Sequence, residues 1–217
     1  MNRLEQMADF FTARLDGYDE HMINDVEGCK EGYAKMAQLI PCHTQTLLDL
    51  GCGTGLELDE IFKLFPAVKV TGVDMTQPML DELKRKHPDK NLNLICGDYF
   101  KVDFGKDRFD CAVSFQTMHH FDHKSKTELY TRICDSLTEN GCYIEGDYMI
   151  ESQQEEDFYY AELARHKKEQ GLAEDEFYHY DTPCTIENQI KMLKNAGFKT
   201  VRQVFRVENT TILVAEK

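Results

Sequence analysis

TLLDLGCGTGLE, residues 46–57, is the stretch on which the reading of this chain turns. Three apolar residues, Leu47, Leu48 and Leu50, lead into glycines at alternate positions, Gly51, Gly53 and Gly55. Beyond them Leu58, Ile61, Phe62 and Phe65 recur at the i, i+3, i+4, i+7 spacing of one helix face. That pattern predicts a buried strand, a tight glycine turn and a helix. Glycine reaches positive φ without steric cost and lets another group approach the backbone. The first turn of the helix also presents unpaired N–H groups, which suit an anion.

Downstream, strand and helix patterns alternate, the mark of a parallel sheet. Lys69 to Val73 reads as a second strand ending in the acidic Asp74, and Gln77 to Lys86 as a helix. Leu92 to Cys96 is a third strand before Gly97-Asp98-Tyr99-Phe100, and Phe109 to Phe115 a fourth. A helix carries Leu129, Tyr130, Ile133 and Leu137, and Gly141 turns into a fifth strand through Ile144. Right-handed crossovers place the glycine turn, Asp74, Asp98 and the end of the fourth strand on one rim, where ligands bind in such sheets. Residues 150–184 interrupt the alternation, with a helix from Glu155 to Gln170 stopped by Gly171. A helix over Thr185 to Ala196, N-capped by Thr185, precedes two strands, Thr200 to Val207 and Thr210 to Ala215, whose short connection makes a hairpin. Upstream, residues 1–44 read as helices broken at Gly17 and near Gly28 to Gly32.

An acidic residue before three alternating glycines, then an acidic end to the next strand, resembles the class I S-adenosylmethionine (SAM) dependent methyltransferases, whose first motif is D/E-x-G-x-G-x-G. The G-x-G-x-x-G fingerprint of nicotinamide-binding folds would require glycine where this chain has Leu56. The resemblance implies an α/β fold: a seven-stranded, mostly parallel, doubly wound sheet of order 3-2-1-4-5-7-6 with the last strand antiparallel. It also implies one methyltransferase domain over 1–217, with residues 1–44 as a helical N-terminal cover and 150–184 as a substrate lid. Carried over by position, Asp49, Gly51, Cys52, Gly53 and Gly55 bracket the methionine part of SAM. Asp74 takes the ribose hydroxyls and Met75 lies against the adenine. Asp98 meets the adenine amine with Tyr99 or Phe100 beside the ring, and Phe115 lies at the fourth-strand end. On the cover, Tyr18, Asp19 and His21 are the polar candidates, Tyr18 foremost.

The end of the fourth strand continues into Met118-His119-His120-Phe121. Histidine titrates near neutral pH, so His120, then His119, are the candidate bases for an acceptor's proton. The signature N/D-P-P-Y of amide N-methylation is missing. His119, His120, Asp122 and His123 have no spacing that favours a metal, so none is expected. The fifth strand ends Glu145-Gly146-Asp147-Tyr148 at the expected substrate rim, and the lid adds Tyr159, Tyr160, Tyr178, His179 and Tyr180.

Bulk numbers narrow the class of acceptor. A net charge of −14 over 217 residues argues against a broad nucleic-acid surface. The runs Lys84-Arg85-Lys86 and Arg165-His166-Lys167-Lys168 read as solvated helix ends. The eight cysteines form no C-x-x-C pair, which argues against zinc or a redox motif. Neither a signal-peptide core nor a membrane-length apolar run is present. The expectation is a cytoplasmic monomer or homodimer that methylates O, N or S of a small molecule. A tRNA- or protein-directed enzyme is the alternative, as is a protein that binds or modifies a SAM analogue such as its carboxylated form.

Overall fold

The computed structural model describes residues 3–173 and 176–217, so Met1 and Asn2 of the predicted cover and Glu174 and Asp175 within the predicted lid lie outside the described residues. Its centre is a sheet of order β3-β2-β1-β4-β5-β8-β7. The strands are β1 (Thr46–Leu50), β2 (Lys69–Asp74), β3 (Leu92–Cys96), β4 (Phe109–Phe115), β5 (Leu137–Ile150), β7 (Thr200–Val207) and β8 (Thr210–Glu216). A short β6, Cys184–Thr185, pairs with the end of β5 off this path. β8 runs antiparallel to both β5 and β7, so the expected seven-strand order holds with β6 added. β5 begins at Leu137 rather than Gly141, because Leu137 already pairs with Phe109 across a bulge instead of closing the preceding helix.

Side chains alternate along a strand, so β1 feeds both faces of the sheet. Leu48 and Leu50 join a core with helices α6 (His123–Ser136) and α8 (Ile186–Asn195) through Leu129, Ile133 and Leu193. Leu47 joins the opposite core with α3 (Cys29–Leu39), α4 (Leu56–Leu64) and α5 (Gln77–Lys86) through Met36, Ile61 and Leu83. Asp49 falls on that second face, fully buried.

The cover consists of α1 (Met7–Ala13), α2 (Tyr18–Asn24) and α3, divided where Gly17 and Gly28 adopt φ of 84° and 78°. Local chemistry sets the other boundaries as expected. The Thr185 hydroxyl accepts from Asn188 N–H at the start of α8, and left-handed Gly171 ends α7 (Gln153–Gln170).

Cover and lid are joined. Gln6 and Tyr178 form an antiparallel bridge, flanked by Met7 N–H donating to the Phe177 carbonyl (3.1 Å) and His179 N–H to that of Glu5 (3.0 Å). The cover is also pinned to the glycine turn. Asp19 accepts from the Thr54 hydroxyl and pairs with Lys86 at 3.0 Å, and Lys86 reaches Asp59 at 2.8 Å. Lys86 is therefore not the solvated helix end its sequence suggested; its side chain is 17% exposed.

Candidate active site

Two cavities open beside the carboxyl ends of the strands and share a wall of Phe11, Tyr18 and Gln116. The smaller, about 50 Å³, lies over the glycine turn and is lined by Gly51, Gly53, Asp74, Met75, Tyr99 and Phe115, with Thr117 and Met79. The larger, about 860 Å³, runs from the cover to His119, His120, Tyr148, His179 and Asp181.

The turn is held by its neighbour strand. Gly51 N–H donates to the Val73 carbonyl at 2.8 Å, and Gly53 N–H to Asp74 Oδ2 at 3.0 Å. The other Asp74 oxygen accepts from the Thr76 amide and hydroxyl at 2.8 and 2.7 Å. Burial raises the Asp74 carboxyl above its ordinary range, against those hydrogen bonds. Gly51 needs its φ of 70°, and a Cβ there would stand 2.6 Å from Thr117 Oγ1. A Cβ on Gly53 would instead face open space, with nothing nearer than 3.9 Å.

Four residues expected to touch a cofactor are not among those lining the smaller cavity. The Cys52 side chain is buried, and its sulfur would lie 2.9 Å from a Cβ on Gly72. Gly55 abuts Leu83. Asp98 caps the Phe100 amide at 2.9 Å and pairs with Lys101. Asp49 lies beneath the turn with Glu57 of α4, and neither Asp49 oxygen nor Glu57 Oε1 has a hydrogen-bond partner among the described residues. Burial pushes Asp49 up to about 7, and burial plus the charge of Asp49 lifts Glu57 well above its ordinary range. Two carboxyls so close in a dry setting hold a proton between them.

Gln116, missed from sequence, follows β4 with φ of 52°, a conformation uncommon outside glycine that clusters at functional sites. Its side chain is tied to Thr210 Oγ1 at 3.2 Å and Cys29 Sγ at 3.5 Å. Tyr18 is half-buried in the same wall, and burial raises its phenol far above the ordinary range.

At the far end His119 and His120 occupy a short 3-10 turn, Met118–His120, with ring centroids 4.0 Å apart. His119 Nδ1 faces Asp147 Oδ1 at 2.6 Å. His119 Nε2 and His120 Nδ1 each lie 3.5 Å from Asp181 Oδ1, and His120 Nδ1 is 3.3 Å from the Tyr180 carbonyl. The lid fixes this arrangement, since Thr182 donates its amide (2.7 Å) and hydroxyl (2.9 Å) to the His119 carbonyl. Burial opposes charge on His119, but Asp147 and Asp181 outweigh it and lift the ring to about 9. Burial and the neighbouring His119 hold His120 well below its ordinary value.

Sequence reasoning named Asp147 only as part of a strand end and passed over Asp181. Of the rim residues, Glu145 is turned into the core against Gln189. Of the lid aromatics, His179 reaches the cavity, while the Tyr160 hydroxyl donates to the Phe121 carbonyl at 3.0 Å. His123 reaches away to Glu156 at 2.7 Å, and Asp122 caps α6.

Residues 47–141 match the family model described as a methyltransferase domain. The sheet order, the glycine turn and this match define a fold of the class I methyltransferase kind. The chain thus carries a methyltransferase domain over residues 47–141 and is a SAM-dependent, methyltransferase-like enzyme. Among its relatives is the carboxy-S-adenosyl-L-methionine synthase of Nautilia profundicola, 27% identical over 185 residues, which are 79% of this chain and 76% of the relative. The Helicobacter pylori enzyme of that name is 27% identical over 190 residues, 82% and 76% of the two chains. Among solved structures, an O-methyltransferase family protein from Burkholderia thailandensis aligns with a TM-score of 0.72 at 14% identity, over 98% of this chain and 63% of its own. Human N-acetylserotonin methyltransferase, solved with SAM, aligns with a TM-score of 0.66 at 16% identity, over 97% and 55%. This chain thus spans about three fifths of the length of those two structures. Among the described residues no helix is long and apolar enough to cross a membrane.

The residues present fit SAM. Gly53 leaves an open cradle, and the partnerless Asp49 and Glu57 oxygens put negative potential behind it, suited to a ligand that carries a sulfonium and an ammonium.

Proposed function

We propose that this enzyme transfers the methyl group of SAM to an oxygen, nitrogen or sulfur of a small molecule held in the larger cavity. The observation that carries this reading is the shared wall. Phe11, Tyr18 and Gln116 border both cavities, so a donor over the glycine turn and an acceptor beside His119 meet there. SAM supplies a methyl group on a good leaving group; the protein's task is to align the acceptor and exclude water. In this reading Gly51, Gly53, Asp74, Met75, Tyr99 and Phe115 hold the cofactor directly. Asp49, Cys52, Gly55 and Asp98 shape the turn and its field from behind. Tyr18 closes the roof, and His119 and His120 line the far end of the cavity where the acceptor sits. The charge of −14 supports a small acceptor over a polynucleotide.

A second reading, supported by the names of the relatives, is that the product is a carboxylated SAM rather than a methylated acceptor. The cavity lining gives this less support. Of its cationic side chains, Arg14 is already paired with Glu5 at 3.0 Å, and the lining includes Asp16, Asp25, Glu27, Asp181 and Glu208.

Thermal unfolding with SAM, S-adenosylhomocysteine and NADH tests the cofactor assignment. S-adenosylhomocysteine at ~100 times its dissociation constant adds about 2.7 kcal/mol, and Asp74→Asn removes most of that gain. Incubation with trideuteromethyl-SAM and a small-molecule extract, read by mass spectrometry, then yields S-adenosylhomocysteine and a labelled product. A carboxylated SAM with no labelled acceptor would replace the first reading by the second, and a shift with NADH alone would overturn both.

A further inference from the structure

We propose that His119, His120 and Asp181 form a divalent-cation site at the end of the larger cavity, and that the acceptor binds there through a hydroxyl or thiol. The inference rests on the reading of that cavity as the acceptor site and reverses the expectation, drawn from spacing, of no metal. Adjacent histidines lacked a ligand pattern because the third ligand is supplied by the lid, some sixty positions later in the chain.

Four observations converge on it. First, one donor atom from each of the three residues lies within 4.8 Å of the others. Second, the geometry suits an ion better than hydrogen bonds. Both imidazoles point a nitrogen at the same Asp181 oxygen from 3.5 Å, at the limit of a hydrogen bond. Tetrahedral zinc with bonds of about 2.0–2.2 Å to nitrogen and oxygen has ligand-to-ligand edges of about 3.4 Å. Two of the three edges already match at 3.5 Å and the third lies within 4.8 Å, so a cation between the groups draws the two imidazoles together as His120 Nδ1 exchanges its long contact with the Tyr180 carbonyl for the ion.

Third, the support expected behind a metal-bound histidine is in place. His119 Nδ1 donates to Asp147 at 2.6 Å, which fixes the tautomer that leaves Nε2 free to ligate. Asp147 is itself fixed, since its Oδ1 accepts from the Tyr148 amide at 2.9 Å. Fourth, the site is open on one side only. The histidines are 7% exposed, whereas the Asp181 side chain is 44% exposed and borders the cavity. Three protein ligands with a remaining position toward a ligand cavity is the arrangement of a catalytic rather than a structural site.

A second grouping provides an internal contrast. His123, Glu156 and Cys184 also converge, but the Lys126 ammonium sits 2.9 Å from the Cys184 sulfur and already supplies a positive charge. At the His119 cluster Asp147 and Asp181 instead face imidazole nitrogens, which can ligate once they give up a proton. Two imidazoles and a carboxylate suit zinc and other late first-row divalent ions over calcium or magnesium. Such an ion lowers the pKa of a coordinated hydroxyl or thiol as it does that of water, and the proton leaves to solvent. The acceptor class is therefore a small molecule whose hydroxyl or thiol can enter the open position.

Cobalt(II) titration of the full-length, tag-free, chelator-treated protein tests this. The expected result is visible ligand-field bands that saturate at one ion per chain and are reversed by zinc. Asp181→Asn weakens the ion by about 100-fold or more, and Asp147→Asn, which touches no ion, by about 10–100-fold. S-adenosylhomocysteine binding is measured on the same samples and stays at the wild-type value, which shows that both variants are folded. Absence of the bands in wild type, or bands unchanged in Asp181→Asn, overturns the metal site. If S-adenosylhomocysteine still binds in that case, the methyltransferase reading stands; if wild type fails to bind it while cobalt does bind, that reading fails and the metal site survives.

Discussion

The turn over the smaller cavity is drawn from two adjacent strand ends, residues 46–57 and 69–76, whereas the histidine cluster takes His119 and His120 from a 3-10 turn, Asp147 from β5 and Asp181 from the lid. The first is shaped by backbone: positive φ at three glycines and amides aimed at a carbonyl and a carboxylate. The second is shaped by side chains brought together over long sequence separations. Backbone geometry is written into local residue choice, because glycine is selected where φ must be positive. Side-chain convergence depends on how the whole chain packs, so it leaves little local trace.

If the two ends are independent in this way, perturbing one should leave the other intact. The largest effect is expected for Gly51→Ala. It forces a side chain into left-handed backbone and places a Cβ 2.6 Å from Thr117 Oγ1. Strain and overpacking together cost about 3 kcal/mol, read as a lower urea midpoint, with S-adenosylhomocysteine binding lost. Cobalt binding by the folded fraction should persist; its loss would break the comparison.

A smaller effect of opposite sign is expected for Glu57→Gln. In wild type Asp49 titrates near 7 when folded and near 3.8 when exposed, so between those values the unfolded chain has released a proton that the native chain keeps. Stability therefore falls as pH rises from about 4 through 7, and the raised Glu57 carries the fall further. In the variant an amide donates to Asp49, and stability above pH 7 rises by on the order of 1 kcal/mol while the slope flattens. Denaturant unfolding across pH 4–9 measures both. An unchanged slope would show that the two carboxyls do not share a proton.

The smallest is Lys86→Met, which cuts the link from the cover to α5. Its partners are about one third exposed, so the loss should be about 1 kcal/mol and should shrink in high salt. A loss several times larger would mean that the cover is part of the folding core.

The same contrast explains what could be read in advance. The five-strand run and the closing hairpin were legible from short apolar runs and their breakers, and the strand order from the resemblance carried by the glycine motif. β6 was not, since two residues carry no period. Gly51, Gly53, Asp74, Met75, Tyr99, Phe115 and Tyr18 were placed on the cavities by motif position. Asp98 was assigned a ligand by the same rule, and its Oδ1 accepts from the Phe100 amide. Gln116 was missed because nothing in its neighbours announces a positive φ, and Asp181 because a lone acidic residue in a polar segment gives no hint of two distant imidazoles.

The bridge between Gln6 and Tyr178 has a kinetic consequence. Met7, Phe11 and Tyr18 roof a space of only about 50 Å³, whereas ligand pockets run to several hundred. In the proposed reading, entry and departure of the nucleoside would require the roof to rise, and the roof is stitched to the lid by the Gln6–Tyr178 bridge. One opening event would then expose both compartments, and its frequency would cap turnover however fast the chemistry became.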